Sequence, residues 1–327
     1  MSDPNIENRL IFVGGVPRSG TTLLQNMLDS HPDICGGPEF LHIPDIINLR
    51  KKLHLSISRR YIDFFCSYED VDRHITSWIQ DLLLPLADKQ QCRLLSEKTP
   101  QNILVFSELM ELFPQAKFIH VIRDPRAVIS SMRKVGTRAK NKGFKPPSFA
   151  ANITAGITYL KKCFDAGFTA SRTKPGMVLT VVYERLVGDP AAETKRICDF
   201  LELEWSDQMI SPGEKKHLGE KAITSMSNEV WYNATMYYCN PDSRNVEKWK
   251  NQLTLAQQVQ ITTAFEDYEE LRQFGYDFSI DSLVPTKCIL GLNYALFFHL
   301  GQKLYKYLSP LARKIPGIGR IRLLLFS

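Results

Sequence analysis

The chain has 327 residues, of which 44% are hydrophobic and 23% are charged, the composition of a soluble globular protein with a sizeable core. Seven basic residues and no acidic ones fall in residues 287–327, so the net charge of +6 belongs to a tail, which argues against a nucleic-acid-binding domain. The cysteines and histidines show no metal-ligand spacing, so we expect reduced thiols and no structural metal. No positively charged segment precedes the first apolar run, so we expect no secretory signal and a cytoplasmic protein.

Strand and helix patterns alternate along most of the chain. Short apolar runs predict strands at 9–15, 93–98, 117–122 and 177–183. Apolar residues three and four positions apart predict helices from Thr21 to about residue 30, and at 69–88, 100–113, 148–170, 189–203 and 253–276, with a further helix after residue 124. Residues 136–148 and 206–250 have the composition of loops. The alternation predicts an α/β fold, a P-loop-like parallel sheet flanked by helices on both faces.

This domain is expected to cover residues 1–281, and residues 282–327 form an apolar, basic and helical C-terminal extension. The apolar run 288–300 is too short to span a bilayer. Basic residues without acids fit a helix that lies on an anionic membrane surface. A helix packed over the core or against a second copy of the chain explains the same composition, so both interpretations stay open.

The segment "GGVPRSGTTL" at 14–23 nearly matches the phosphate-binding pattern G-x-x-x-x-G-K-[ST]. Thr21 stands where the pattern requires lysine, which argues against triphosphate and metal chemistry. A strand that turns through glycines into a helix still presents backbone N–H groups to an anion, and Arg18 adds a planar set of donors. A plain tight turn with a surface arginine is the alternative.

The longer segment "VPRSGTTLLQNMLDSHPDI" resembles the sulfotransferases that use 3′-phosphoadenosine 5′-phosphosulfate (PAPS), and most of all the tyrosylprotein sulfotransferase branch and its bacterial relatives. The resemblance covers about residues 9–280. It implies that the loop binds the 5′-phosphosulfate without a metal. The loop residues implied are Arg18, Ser19, Gly20, Thr21 and Thr22.

A second stretch, "FIHVIRDPRAVISSM", carries the family's next element, an arginine after a strand and a serine eight residues later. The resemblance implies that Arg123 and Ser131 hold the 3′-phosphate, and they would lie at the sheet edge where open α/β sheets bind ligands. A helix capped by Asp124 beside an incidental arginine is the alternative. Arg133 resembles a further basic contact, and Tyr183 resembles a tyrosine that touches the nucleotide.

Late in the chain, "VEKW" at 246–249 resembles a segment whose lysine contacts the nucleotide phosphates. Lys248 is the residue implied, with Arg244 as a possible assistant. The family's partner serine would fall near Asn233, so its role is either altered or shifted to Ser227 or Thr235.

Sulfuryl transfer to a hydroxyl needs a base for the acceptor proton and cations for the developing charge. The resemblance implies that Glu39, which lies 21 residues beyond Arg18, is the base, and that Lys98 in "SEKTPQN" is the catalytic lysine. Arg18 would stabilise the transferring group. A solvated loop carboxylate and an ordinary strand-end lysine are the alternatives.

Two positions depart from the tyrosylprotein branch. The arginine that reads acidic peptides is replaced by Leu41, and the cysteine that would pair near the base is missing, since Ser96 and Glu97 precede Lys98. We therefore expect a PAPS-dependent enzyme that sulfates a hydroxyl on a small molecule, lipid or glycan. The alternatives are a protein-tyrosine sulfotransferase, a P-loop kinase and a non-catalytic nucleotide-binding protein. We do not expect nucleic acid as a partner. We expect residues 287–327 to contact either a membrane surface or a second copy of the chain.

Overall fold

Five strands form one parallel sheet in this computed structural model, which describes residues 9–219, 230 and 237–283. The strands lie in the order β2-β3-β1-β4-β5. Every neighbouring pair is parallel, so the carboxyl ends of all five strands meet at one edge. Their bounds are β1 Leu10–Gly15, β2 Ile34–Gly36, β3 Leu94–Lys98, β4 Lys117–Ile122 and β5 Val178–Val182.

Helices connect the strands. They are α1 Thr21–Asp29, α2 Ile43–Ser58, α3 Tyr68–Gln90, α4 Phe106–Leu112, α5 Pro125–Asn141, α6 Ile153–Thr173, α7 Tyr183–Gly188 and α8 Pro190–Leu201, with a 3-10 helix at Pro100–Val105. Side-chain caps fix several starts: Ser67 and Asp70 form a capping box at α3, and Asn152 caps α6. The sheet with its helices is the α/β architecture that the alternating pattern predicts.

Alternate residues of the strands pack on opposite faces of the sheet. Ile11 and Val13 of β1 join a core cluster with Leu24 and Met27 of α1 and Ile197 of α8. Phe12 of β1 points to the other face, where its ring centroid lies 5.5 Å from that of Phe113 and 5.4 Å from that of Phe118. Both faces are therefore buried, and this explains why the strands read as continuous apolar runs.

The structure corrects three features of the sequence-based assignment. The predicted loop at 136–148 is wrong in its first part, because α5 continues to Asn141. Gly136 belongs to this helix, and a Cβ there would lie 2.7 Å from the Ala150 carbonyl oxygen, so the glycine permits close packing. The first part of the predicted helix 100–113 is a 3-10 helix. Three of the elements named above were not predicted: the three-residue strand β2 and helices α2 and α7.

The single helix predicted at 253–276 is also wrong, because two short helices, Leu255–Ala264 and Glu269–Gln273, replace it. Phe265 and Leu271 are both fully buried. Residues six apart point to different sides of one continuous helix, and the break allows both side chains to be buried.

The chain divides into two compact units between Trp249 and Lys250. This division lies before the expected domain boundary at 281/282. Residues 284–327 lie outside the described residues, so the predicted C-terminal extension stays a prediction. Within 9–219, 230 and 237–283, no helix combines the length and hydropathy needed to cross a membrane.

Candidate active site

The loop between β1 and α1 has the backbone geometry of an anion-binding turn. Arg18 has φ 77° and Gly20 has φ 104°, both in the left-handed region, and such turns direct successive N–H groups to one side. No side chain caps the start of α1, and its first turn holds no acidic residue. The Ser19 Oγ is buried and has no hydrogen-bond partner within the described chain. These donors fit a bound phosphate or sulfate group.

Arg18 and Ser131 lie in direct contact in the structure. The Arg18 Nε donates to the Ser131 Oγ at 3.2 Å, which connects the loop to α5. A Cβ at Gly20 would overlap the ring of Tyr183, so the glycine also lets β5 approach the loop. The loop, α5 and the end of β5 therefore form one site.

Arg123 lies in the same site, and its hydrogen-bond donors are only partly used by the protein. Its guanidinium carbon is 3.9 Å from the centroid of the Tyr183 ring, a cation–π contact. Its terminal nitrogens lie 3.5 Å from the carbonyl oxygens of Arg18 and Asn245, at the long limit for hydrogen bonds. Its Nε has no partner in the described part of the chain. Burial is the main cause that raises the pKa of Tyr183, so this residue offers a neutral ring.

Lys134 is a candidate that the sequence analysis missed. Lys134 is exposed, but partial burial of its side chain lowers its pKa, and the nearby charges of Lys248 and Arg138 lower it further. Lys134 lies three residues after Ser131 on α5, a spacing that places both side chains on the same face of a helix. This helical spacing was the signal that could have found it. The charges of Lys134 and Lys248 lie close enough to interact, and we call this pair the cationic wall.

The remaining predicted cofactor residues are placed as follows. Arg133 and Lys248 are exposed, and the Nε of Arg244 is 2.9 Å from the Asp242 Oδ1. Thr21 and Thr22 are buried in the first turn of α1. The positions that sequence reasoning left open, Ser227, Asn233 and Thr235, lie outside the described residues.

Glu39 and Lys98 form an ion pair at the carboxyl edge of the sheet. The Lys98 Nζ lies 2.5 Å from the Glu39 Oε1, and the two side chains are 3% and 15% exposed. Lys98 ends β3, and Glu39 follows the edge strand β2, so the parallel topology brings them together. A carboxylate can accept a proton and an ammonium can stabilise developing negative charge, which are the two functions that a group transfer needs.

A small polar cleft lies beside this pair, and both Glu39 and Lys98 line it. One wall contains a buried link between distant segments, since the His217 Nδ1 is 2.8 Å from the Asp29 Oδ2. The other lining residues include Thr22, Gln25, Asn26 and Tyr237.

The cysteines within the described ranges, which include Cys35 beside Leu95 of β3, are free thiols. Burial is the main cause that raises the pKa of the Cys35 thiol to about 12, so it is held in the unreactive protonated form. Among the residues that the structure describes, no group of three or more His, Cys, Asp or Glu side chains is arranged to hold a metal ion.

Comparison with known proteins places this geometry in a family. A family model described as "Sulfotransferase family" matches residues 10–207. Protein-tyrosine sulfotransferase A from Caenorhabditis elegans is 33% identical over 208 residues, which cover 63% of this chain and 53% of that protein. Protein-tyrosine sulfotransferase 1 from Danio rerio is 32% identical over 215 residues, which cover 64% and 58% of the two chains. The chain thus spans little more than half the length of these curated relatives.

Solved structures agree on the fold. The sulfotransferase domain of the Synechococcus PCC 7002 olefin synthase matches with a TM-score of 0.52 and 25% identity, covering 82% of this chain and 94% of that one. The sulfotransferase domain from the curacin biosynthetic pathway matches with a TM-score of 0.53 and 20% identity, covering 75% and 91%. Since the family model covers more than half of its length, the chain belongs to the sulfotransferase family.

Proposed function

We propose that this protein transfers a sulfuryl group from PAPS to an acceptor hydroxyl. The observation that carries the proposal is the position of the Glu39–Lys98 pair, which lines the same cleft as Thr22 of the anion-binding loop. A base, a cation and an open helix start are thus combined in one small space.

The described residues fit the nucleotide at both of its anionic ends. The open α1 start and the unpartnered Ser19 Oγ suit the 5′-phosphosulfate. Arg123, Ser131 and the cationic wall of Lys134 and Lys248 suit the 3′-phosphate, since planar and point-charge donors together recognise phosphate well. When bound, PAPS supplies the sulfuryl group and carries away the displaced charge as adenosine 3′,5′-bisphosphate.

Glu39 acts as the general base and accepts the proton of the acceptor hydroxyl. Lys98 and Arg18 donate hydrogen bonds to the oxygens on which negative charge grows. Lys98 first neutralises the Glu39 carboxylate in the free protein, because the two groups are in contact. None of these residue roles requires a metal.

For the acceptor we propose a hydroxyl on a small molecule, lipid or glycan. Leu41 is 54% exposed at the loop that follows Glu39, so the position offers an apolar side chain and no cation for an acidic peptide. Protein tyrosine is the second candidate, because the C. elegans and D. rerio relatives are named protein-tyrosine sulfotransferases.

We also propose a cytoplasmic protein that contacts a membrane or a second copy through residues 287–327, which the basic composition of that stretch supports. Liposome flotation and the oligomeric state of the full chain, each compared with residues 1–286, test the two contacts. Equal behaviour of the two forms in both assays would contradict the proposal.

Calorimetric titration of adenosine 3′,5′-bisphosphate in EDTA, beside ATP with magnesium, tests the cofactor. We expect bisphosphate binding that Arg123→Ala abolishes. Binding of ATP with magnesium alone would instead indicate a P-loop kinase. The acceptor is then sought with radiolabelled PAPS and four probes: 2-naphthol, a long-chain alcohol, an amino sugar and an acidic tyrosine peptide. Bisphosphate binding without transfer, and without any effect of Glu39→Gln, would favour a non-catalytic nucleotide-binding protein.

A further inference from the structure

Two buried polar side chains on either side of Lys98 hold the backbone of the loop that carries Glu39. The Phe40 N–H donates to the Glu97 Oε1 at 3.2 Å, and the Leu41 N–H donates to the Thr99 Oγ1 at 3.2 Å. Three consecutive residues, 97 to 99, therefore contact three consecutive residues, 39 to 41. The middle contact is the ion pair between Lys98 and Glu39.

The two holding groups are part of a closed network. Glu97 is 5% exposed and Thr99 is 1% exposed. The Thr99 hydroxyl donates to the Glu97 Oε1 at 2.7 Å, and the Asn102 side-chain amide donates to the other carboxylate oxygen. Glu97 therefore accepts from three donors. Burial raises the pKa of Glu97, but these donors favour the carboxylate.

A buried carboxylate is unfavourable unless hydrogen bonds replace its lost hydration, and the three donors do so here. One of these donors belongs to the backbone of the loop that carries Glu39. Leu41 has φ 67°, a left-handed conformation that a leucine rarely adopts without support. The side chain of Leu41 is largely exposed, so packing does not impose this conformation. The turn is closed by a hydrogen bond from the His42 N–H to the Phe40 carbonyl oxygen at 2.9 Å, and the hydrogen bonds from Phe40 and Leu41 to residues 97 and 99 attach it to the end of β3.

We propose that Glu97 and Thr99 are positioning residues for the base. They fix the turn at Phe40 and Leu41, and the fixed turn keeps the Glu39 carboxylate at Lys98 and facing the cleft. Without them the loop could relax to an ordinary backbone conformation and move the carboxylate away from the acceptor. The inference rests on the proposed function, because it assumes that Glu39 is the base.

The test compares Thr99→Val with Thr99→Ser. Valine has nearly the shape of threonine but no hydroxyl, whereas serine keeps the hydroxyl. Thr194→Val is the matched control, because Thr194 is also fully buried and its hydroxyl is also hydrogen-bonded. Its partners are Pro190 of α8 and Trp205, which follows α8, and neither belongs to the loop that carries Glu39. Residue-resolved hydrogen exchange of the full chain reports on the loop without requiring any acceptor. Turnover of PAPS with the fastest of the four probes, and calorimetric bisphosphate affinity, are measured on the same proteins.

For Thr99→Val we expect amide exchange at Leu41 to rise by about tenfold or more, while exchange in β4 stays as in the wild type. Turnover should fall roughly 10- to 100-fold with bisphosphate affinity kept within about twofold, because only the base is misplaced. Thr99→Ser should keep most of the exchange protection and the turnover. Thr194→Val should change neither.

The inference is overturned if the Leu41 amide exchanges as quickly as a free amide in the wild type, a result that needs no variant and holds even if Thr99→Val does not fold. It is also overturned if Thr99→Val speeds exchange but leaves turnover unchanged. A wild-type protein that neither binds bisphosphate nor transfers sulfate would instead contradict the proposed function, and the exchange data would still decide whether the loop is held.

Discussion

The Lys98 Nζ lies 2.5 Å from the Glu39 Oε1 inside a cleft where both side chains are largely withdrawn from water. The contact makes each group dependent on the other. A partly buried carboxylate without its cation would be disfavoured, and a buried ammonium without its anion equally so. The pair is therefore maintained in the free protein. In the proposed reaction Glu39 accepts the proton of the acceptor hydroxyl, and Lys98 donates to the oxygens of the transferring group.

Glu39→Gln should abolish most of the turnover and leave cofactor binding intact. The amide keeps the shape of the side chain but cannot accept the acceptor proton, so we expect a loss of roughly 10²- to 10⁴-fold in kcat. Kinetics with PAPS and calorimetry with bisphosphate check the two halves of this statement. Glu204→Gln, at an exposed position, serves as the control. A variant with wild-type turnover would remove Glu39 from the mechanism.

Arg123→Lys should weaken bisphosphate binding although it preserves the positive charge. Lysine loses both the planar set of donors and the stacking over Tyr183, where the guanidinium carbon now lies 3.9 Å from the ring centroid. We expect a loss of about 1.5–3 kcal/mol, which is roughly 10- to 150-fold in Kd. Arg172→Lys on α6 is the control. Equal affinity for the two variants would mean that Arg123 acts only through its charge.

Gly20→Ala should disturb the site more than a similar change elsewhere. Gly20 and Gly143 both have positive φ, 104° and 76°, so alanine is strained at either position. Only at Gly20 would the new Cβ overlap the ring of Tyr183; around Gly143 nothing lies within 4 Å. Gly143→Ala should therefore cost about 1 kcal/mol of backbone strain in the free energy of unfolding. Gly20→Ala should cost more and should also weaken bisphosphate binding.

Lys134→Ala and Arg133→Ala distinguish two adjacent basic residues of α5. Both residues are exposed, but partial burial and the nearby charge of Lys248 lower the pKa of Lys134. We expect Lys134→Ala to weaken bisphosphate binding by roughly tenfold at low salt, with a smaller effect as salt screens the phosphate. Calorimetry at two ionic strengths measures both. A larger effect of Arg133→Ala would instead support the residue that the family pattern implies.

His120 should make the protein sensitive to acid. Its ring is fully buried, neither nitrogen has a hydrogen-bond partner in the described chain, and burial lowers its pKa to about 3. The unfolded chain binds the proton near pH 6.5, so the stability from this residue is complete above that pH and is lost as pH falls towards 3. Between pH 7 and pH 5 the linkage removes about 2 kcal/mol from the free energy of unfolding.

His120→Leu should abolish this part of the pH dependence. It should also raise stability at pH 7, because it replaces unsatisfied polar atoms among Phe164 and Phe168 with an apolar side chain. Urea denaturation at the two pH values checks both effects, with His74→Gln at an exposed position as the control. Parallel pH curves for wild type and His120→Leu would contradict the assignment.

The sequence allowed the central strands and the anion loop to be predicted, because local patterns define them. Runs such as "LIFVGG" of β1 and "KFIHVI" of β4 are buried on both faces, and most of their residues are therefore apolar. The assignment of Arg18 and Ser131 needed the family pattern, and the structure then brings the two side chains within 3.2 Å. Strand β2 was not predicted because three residues are too few to show the periodicity of a strand.

Other parts of the site could not be found in the sequence because they depend on tertiary contacts. Glu97 reads as an ordinary polar residue in a strand, and only the folded chain shows that it accepts from Phe40. The link between Asp29 and His217 joins residues 188 positions apart, a separation at which a sequence pattern carries no information. At Arg133 the family pattern drew attention from Lys134, which helical spacing places on the face of Ser131.

The strand order has a consequence for how the protein acquires its activity. Arg18, Lys98, Arg123 and Tyr183 follow or end four different strands, and adjacent strands in the sheet are far apart in the sequence. No early segment of the chain can therefore hold the nucleotide by itself. Bisphosphate should bind only after the long-range pairings of β1 with β3 and β4 and of β4 with β5 have formed, and it should then stabilise the completed sheet by about 2.7 kcal/mol at a hundredfold excess over its Kd. Recovery of nucleotide affinity during refolding would thus mark the last step of assembly rather than the first.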